Sequence, residues 1–288
     1  MEEADLVKGK SHSILEKINS EFIPFKIYCA RFCLMTKDEY FKILHDTLDF
    51  TIFIGKNIFP KSLSVNDNGN LLKIHCIALV IRALTKAHAI NVLYKNDLSE
   101  EANIVLRVLL EIQFIVCSIA KDQGHFERYL SDIGLQKFKE LRNLDHAGKY
   151  PDCIFKTDEA TKAKILELAP IYKGKQQLTI RDHAEKAGML GLYYSTYSTL
   201  CGHVHSGPAE LANHFKVSSN NLIISRNYGA DYDLVCFSGI EAMKNILNAI
   251  SKVFSIEHEK LQQLNAIYNE LNGMLYQKYI LRENVIEG

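Results

Sequence analysis

The chain has 288 residues, 47% of them hydrophobic and 24% charged, which suits one large globular domain or a domain with elaborations. Its formal net charge is zero, so no global basic field argues for non-specific nucleic-acid binding; only a local patch remains open. The N-terminus, MEEADLVKGK, is charged and lacks an apolar core of the secretory type, and apolar runs such as IQFIVCSIA read as too short to span a membrane. The expectation is a cytoplasmic protein. The seven cysteines are scattered, and the one close pair, Cys29 and Cys33, has neither zinc-ribbon nor thioredoxin spacing. They read as reduced and mostly buried.

In chain order the pattern is helical. A first amphipathic segment covers roughly 4–20. A second runs from Lys37 to Ile58, with Phe41, Leu44, Leu48 and Ile52 on one face. NDNGN at 66–70 is a turn, and a long helix follows from Leu71 to about Tyr94. A central helix is expected from Asp97 to about Ala120, with Asp97 and Glu100 as a capping box. After Asn103 it is apolar on nearly every side, which predicts burial all round. His125 to Leu144 forms another helix. Residues 145–188 are richer in Lys, Gly and Asp, with a short helix near 157–172, and read as a less ordered insertion or flap. Met189 to Ser206 returns to helix and stops at Gly207-Pro208. Residues 214–225 carry β-branched runs around a Ser-Asn turn, the pattern of a small hairpin. A last helical region covers about 231–281, with Gly273 as its weak point. The fold class expected is all-α, a single domain built as an antiparallel helical bundle with one small β-hairpin, its core about 37–144 and 189–281.

One stretch of the central helix breaks the apolar pattern. In LRVLLEIQFIV, Arg107 and Glu111 stand four apart, so their side chains share a face. A buried ion pair is costly unless its other donors and acceptors are satisfied, and a guanidinium has five N–H groups. The helix YYSTYSTLCGHVHS, residues 193–206, is the expected partner. Tyr197, Cys201 and His205 recur at i, i+4 and i+8, and Tyr194 joins that stripe at i−3. A cluster of Arg107, Glu111, Tyr197 and His205 suits acid–base chemistry on a phosphodiester: His205 as acid–base, Arg107 on the anion, Glu111 orienting, Tyr197 supporting. Such networks also serve purely to set helix register.

The central LRVLLE, followed by ERY at 127–129, resembles the R-x-x-x-E helix of the domain-of-unknown-function 5677 family. Y-x-x-L-C-x-x-V-H, from Tyr197 to His205, resembles that family's second motif, with Cys201 where Ser is expected. The resemblance spans roughly 70–210 and implies that Arg107, Glu111, Tyr197 and His205 are its motif positions. A looser resemblance is to the HEPN superfamily of helical bundles, many of them metal-independent ribonucleases of bacterial defence and toxin systems. Their signature is an Arg followed a few residues later by His. RALTKAH, Arg82 to His88, fits that spacing, although Ala83 stands where the signature carries a polar residue. On that resemblance Arg107 and His205, brought together from two helices, make the stronger pair.

Other signals point to less. His203 and His205 lie two apart, on different helix faces, and no HExxH motif accompanies them, so zinc is not expected. No Walker loop, G-x-G-x-x-G or G-x-S-x-G elbow is present, and no cofactor is expected. KFKELRNLDHAGKY, 137–150, is locally basic and reads as a solvated helix face. The expected function is metal-independent RNA cleavage, with RNA as partner; Ile246, Ile250, Val253, Phe254 and Leu261 of the C-terminal helix suit either a homodimer interface or packing on the chain's own bundle, and the sequence does not choose between them. The alternatives are a non-enzymatic regulatory module in which the cluster is a lock, and a small-molecule sensor anchored on Arg107.

Overall fold

A computed structural model describes residues 37–58, 71–96, 98–150, 152, 154, 157–204, 215–218, 221–224, 232–256 and 259–286. The amphipathic segment at 4–20, the turn at 66–70 and the Gly207-Pro208 stop lie outside these residues, as do His205 and Asp97. The fold is all-α.

Helix α1 (Lys37–Ile58) turns Tyr40, Leu44, Leu48 and Ile52 inward at helical spacing, and Phe41 packs half-buried beside them. Helix α2 (Leu71–Lys95) buries Cys76, Val80, Ala83, Ala87 and Ile90; the two alanines allow close approach of its neighbours. A polar chain pins α1 to α2. His45 Nδ1–H donates to Asn91 Oδ1 at 2.5 Å, and Asn91 Nδ2 donates to Asp49 Oδ1 at 2.6 Å. That chain satisfies an amide that is otherwise buried.

Helix α3 (Ser99–Lys121) is the central element, packed by α2, by α4 (Gln123–Ala147), by α6 (Ile180–Ala187) and by the later helices. It buries Leu106, Leu109, Leu110, Ile112, Phe114, Val116 and Ile119. Two expectations are corrected here. Its N-cap is Leu98, with no side-chain cap. Nor is it buried all round: Ile104 is exposed, and Val108 and Ile115 are half-buried. Those residues, at i, i+4 and i+11, mark one stripe, and Arg107 and Glu111 lie along it. The sequence pattern hid this stripe because apolar residues occupy most of it.

The expectation that the apolar segments fall short of a membrane span is also corrected. Both α2 and α3 are long and apolar enough, by length and composition, to cross one. Counting uninterrupted apolar runs missed this, since a helix tolerates a charge within its span. In the bundle α3 spends just over half of that window on the protein core.

Capping chemistry sets the next boundaries. Asp122 accepts from the His125 N–H and starts α4, and Asp158 accepts from the Thr161 N–H and starts α5 (Glu159–Tyr172). Thr179 and Asp182 form a reciprocal capping box at α6, and Gly188, at φ 82, ends it. Helix α6 seats His183 and Ala184 against α3, so the end of the expected flap is part of the core.

Three stretches then make α7: Leu190–Leu192, a π-helical Tyr193–Tyr197 and Ser198–Val204. The last region divides into α8 (Tyr232–Phe254) and α9 (Glu259–Ile286). The break falls at Ser255 and not at Gly273, through which α9 runs uninterrupted. Ile246, Ile250 and Leu261, candidates for a dimer interface, are buried in the chain's own core. Ser255 holds φ at 52, a left-handed conformation that costs a residue with a Cβ. Ser255→Gly is expected to stabilise the fold by about 1 kcal/mol and Ser255→Val to destabilise it by a similar amount, read by urea denaturation. Equal midpoints for the two variants would remove the argument.

Four described cysteines, Cys76, Cys117, Cys201 and Cys236, are free thiols. Burial pushes Cys76, Cys117 and Cys236 up to about 12, which keeps them protonated and inert.

Candidate functional site

Arg107 and Glu111 meet as the sequence spacing requires: Nη2 lies 3.0 Å from Glu111 Oε1. Their side chains are 22% and 24% exposed. The pair is therefore half-buried at an open stripe, not sealed in the core as expected.

Helix α7 supplies the partners. The Tyr197 hydroxyl donates to Glu111 Oε1 at 2.8 Å and accepts from Arg107 Nη2 at 3.2 Å. Arg107 Nε donates to Cys201 Sγ at 3.4 Å, and the guanidinium carbon lies 5.4 Å from the centre of the Tyr197 ring. Cys201 thus takes the position where a hydroxyl was expected and acts as a soft acceptor. Burial opposes the Arg107 charge, but Cys201, Glu111 and Tyr197 outweigh it and its pKa rises. Burial, and then Glu111, push the Tyr197 phenol well up, so it stays protonated at neutral pH. The Nη1 nitrogen of Arg107 has no partner among the described residues.

The π-helical turn explains which tyrosines join. Its bond runs from the Ser198 N–H to the Tyr193 carbonyl, so one extra residue enters the turn and the register shifts. Tyr193, not Tyr194, stacks on Tyr197, with centroids 5.2 Å apart and planes 23° apart. Tyr194 is thrown outward and is 56% exposed, against 5% for Tyr197. The expected place of Tyr194 in the inward stripe is corrected accordingly. Phe114 of α3 backs the stack, edge-on to Tyr197 at 5.9 Å.

Of the four expected site residues, three come together: Arg107, Glu111 and Tyr197. His205 lies outside the described residues, four beyond Cys201 in the chain, and the side chain of His203 is outside them too. Arg82 and His88 are both exposed on α2. Six residues apart on a helix, they point about 120° from one another, which separates them as a catalytic pair. The basic stretch 137–150 engages locally, as in Lys139 with Gln177 and Lys149 with Asp145. Among the described residues, no group of three or more His, Cys, Asp or Glu side chains converges to hold a metal ion.

A second polar cluster escaped the sequence reading. His183 Nδ1 lies 2.9 Å from His125 Nε2 and 3.0 Å from Ser118 Oγ, and Ser118 Oγ donates to the Ile115 carbonyl at 2.8 Å. Ser118 having given its proton to Ile115, the consistent assignment shares the His183 Nδ1–H between Ser118 Oγ and the His125 Nε2 lone pair. Burial, and then His125, lower the His183 pKa to about 4; burial lowers His125 as well. Above the pair, Lys186 of α6 bridges to Asp122 at 2.5 Å. These contacts anchor the helix that leads into α7. The available signal was the capping box and glycine stop in TIRDHAEKAG, which marks a short, well-bounded helix around His183.

No curated protein and no solved structure matches the chain. The family of unknown function DUF5677 matches residues 73–222, just over half of the chain and the whole of the Arg107–Tyr197 arrangement, and the chain belongs to that family.

Proposed function

We propose that the protein is a metal-independent ribonuclease of a bacterial defence or toxin type, related in manner to the HEPN bundles. The observation that carries this reading is the half-exposed Arg107. Glu111, Tyr197 and Cys201 hold its Nε and Nη2, while among the described residues none holds Nη1, which can take a phosphate oxygen without breaking the pair. Tyr197 stays protonated, so it positions and does not act as base. The acid–base group in this proposal is His205. It takes the proton of the ribose 2′-hydroxyl as the 2′-oxygen attacks phosphorus, and returns it to the departing 5′-oxygen as the P–O5′ bond breaks. The products are a 2′,3′-cyclic phosphate and a 5′-hydroxyl. The small hairpin expected at 214–225 belongs to this reading as an element that follows His205 in the chain. Backbone pairing of Phe215 with Ile224 and Ser218 with Asn221 supports it.

The second reading, a register lock in a non-enzymatic regulatory module, is favoured by one observation. The Tyr197 hydroxyl is committed on both sides and its ring is buried. Wild type, His205→Ala and Arg107→Ala, incubated with total RNA in excess chelator, separate the two. Cleavage by wild type alone, with melts matched within a few degrees, supports the nuclease. No cleavage by any of them, with Arg107→Ala melting far lower, supports the lock.

A further inference from the structure

The tyrosines of α7 form a ladder that leads out of the cluster. Tyr197 bridges Arg107 and Glu111 from a buried position. Tyr193 stacks on it at 5.2 Å, and Tyr194 stands perpendicular to Tyr193, also at 5.2 Å. The ring of Tyr194 is more than half exposed. The Arg181 guanidinium, reaching across from α6, lies 6.0 Å from its centre. The π-helical turn that turns it outward departs from the ordinary helix, a departure found often at functional sites.

We propose that Tyr194 and Arg181 form a base-stacking subsite for single-stranded RNA at the rim of the Arg107 cluster. An unpaired nucleobase has a face for the ring, and Arg181 supplies a cation for the adjoining phosphate or for stacking on the base itself. A base seated on Tyr194 lies outward of Tyr193 and Tyr197, the rings that lead to Arg107. A duplex keeps its internal bases stacked on both sides and leaves a face free only at its end pairs, so the subsite favours single strands. The ligand class rests on the proposed ribonuclease reading; the stacking residue rests on the ladder.

The chain has no tryptophan, so Tyr194→Trp introduces a single indole reporter at the subsite. The probe is a short 2′-O-methyl oligoadenylate, which cannot be cleaved through its 2′-oxygen and so separates binding from chemistry. Saturable quenching of the indole by this probe, and much weaker quenching by a blunt duplex of the same length, is expected. By anisotropy, Tyr194→Ala is expected to weaken binding about tenfold or more, Tyr194→Phe to retain it, and neither to move the melt, since the ring is exposed. Equal binding by wild type and Tyr194→Ala overturns the subsite and leaves the nuclease reading standing. Quenching in a protein that never cuts RNA supports the subsite and removes the nuclease. No binding of the probe by wild type overturns both.

Discussion

Phe114→Ala is expected to cost about 3–5 kcal/mol of folding free energy, the range for truncating a large buried ring. Phe114 is the largest of the fully buried side chains and sits in the middle of the most heavily packed helix. The close-packed interior relaxes only partly around such a hole. Part of the loss is specific to aromatic geometry. The ring meets Tyr197 edge-on at 5.9 Å and 75°, and Tyr193 at 6.4 Å, contacts worth about 0.5–1.5 kcal/mol beyond burial. The cavity opens directly behind the tyrosine that bridges Arg107 and Glu111. Tyrosine and phenylalanine supply all the aromatic near-ultraviolet dichroism of this chain, so that signal should fall while helical dichroism is kept. Urea denaturation gives the free energy. A loss below about 1.5 kcal/mol would show that the tyrosine stack does not lean on this ring.

Stability is expected to fall steeply as pH drops from about 6.5 to about 4, by roughly 3 kcal/mol from His183 alone. The sign follows from linkage. The folded-state pKa of His183 is depressed to about 4, so below 6.5 the unfolded chain binds the proton more readily. The contribution is complete above the unfolded value and is lost as pH falls through the folded one. The physical cause is local. His183 is buried against Ser118, His125 and Tyr129, with His125 and Arg128 opposing a positive charge and Asp182 favouring it. A proton on His125 Nε2 would meet the His183 Nδ1–H head on, so the contact holds only while His125 is neutral. The two aspartates beside the pair do not explain this window. Asp122, held down by Lys186, and Asp182, held down by the Thr179 N–H, titrate below it. His45 and His75, also lowered by burial, contribute in the same range, so the test is a difference. His183→Asn keeps a donor toward Ser118 and removes the titration; its stability should change less with pH than wild type between 6.5 and 4. Parallel curves would sink the assignment.

Local chemistry made much of the fold legible. Lys37–Ile58 and the helix from Leu71 announce themselves by helical spacing of apolar residues, and both stand where that spacing puts them. Arg107 and Glu111 are four apart on any helix, so their pairing needed no tertiary information. The Tyr197 and Cys201 contacts to Arg107 follow from the same periodicity applied to a second helix.

Other features depended on packing. Whether an apolar helix is buried on every side depends on how its neighbours are arranged: α7 covers Arg107 and Glu111 only in part, and Ile104 stays exposed. Tyr193, four before Tyr197, takes the place expected of Tyr194, in a π-helical turn that arises from competition among backbone hydrogen bonds that periodicity cannot weigh. His125 and His183 are 58 residues apart, and only the docking of α6 on α3 makes them partners. Sequence alone therefore determined the helices and the i, i+4 ion pair, because both are short-range consequences of one backbone geometry. Tertiary structure decided which faces meet water and which distant side chains share a proton, because those depend on the entire packed bundle.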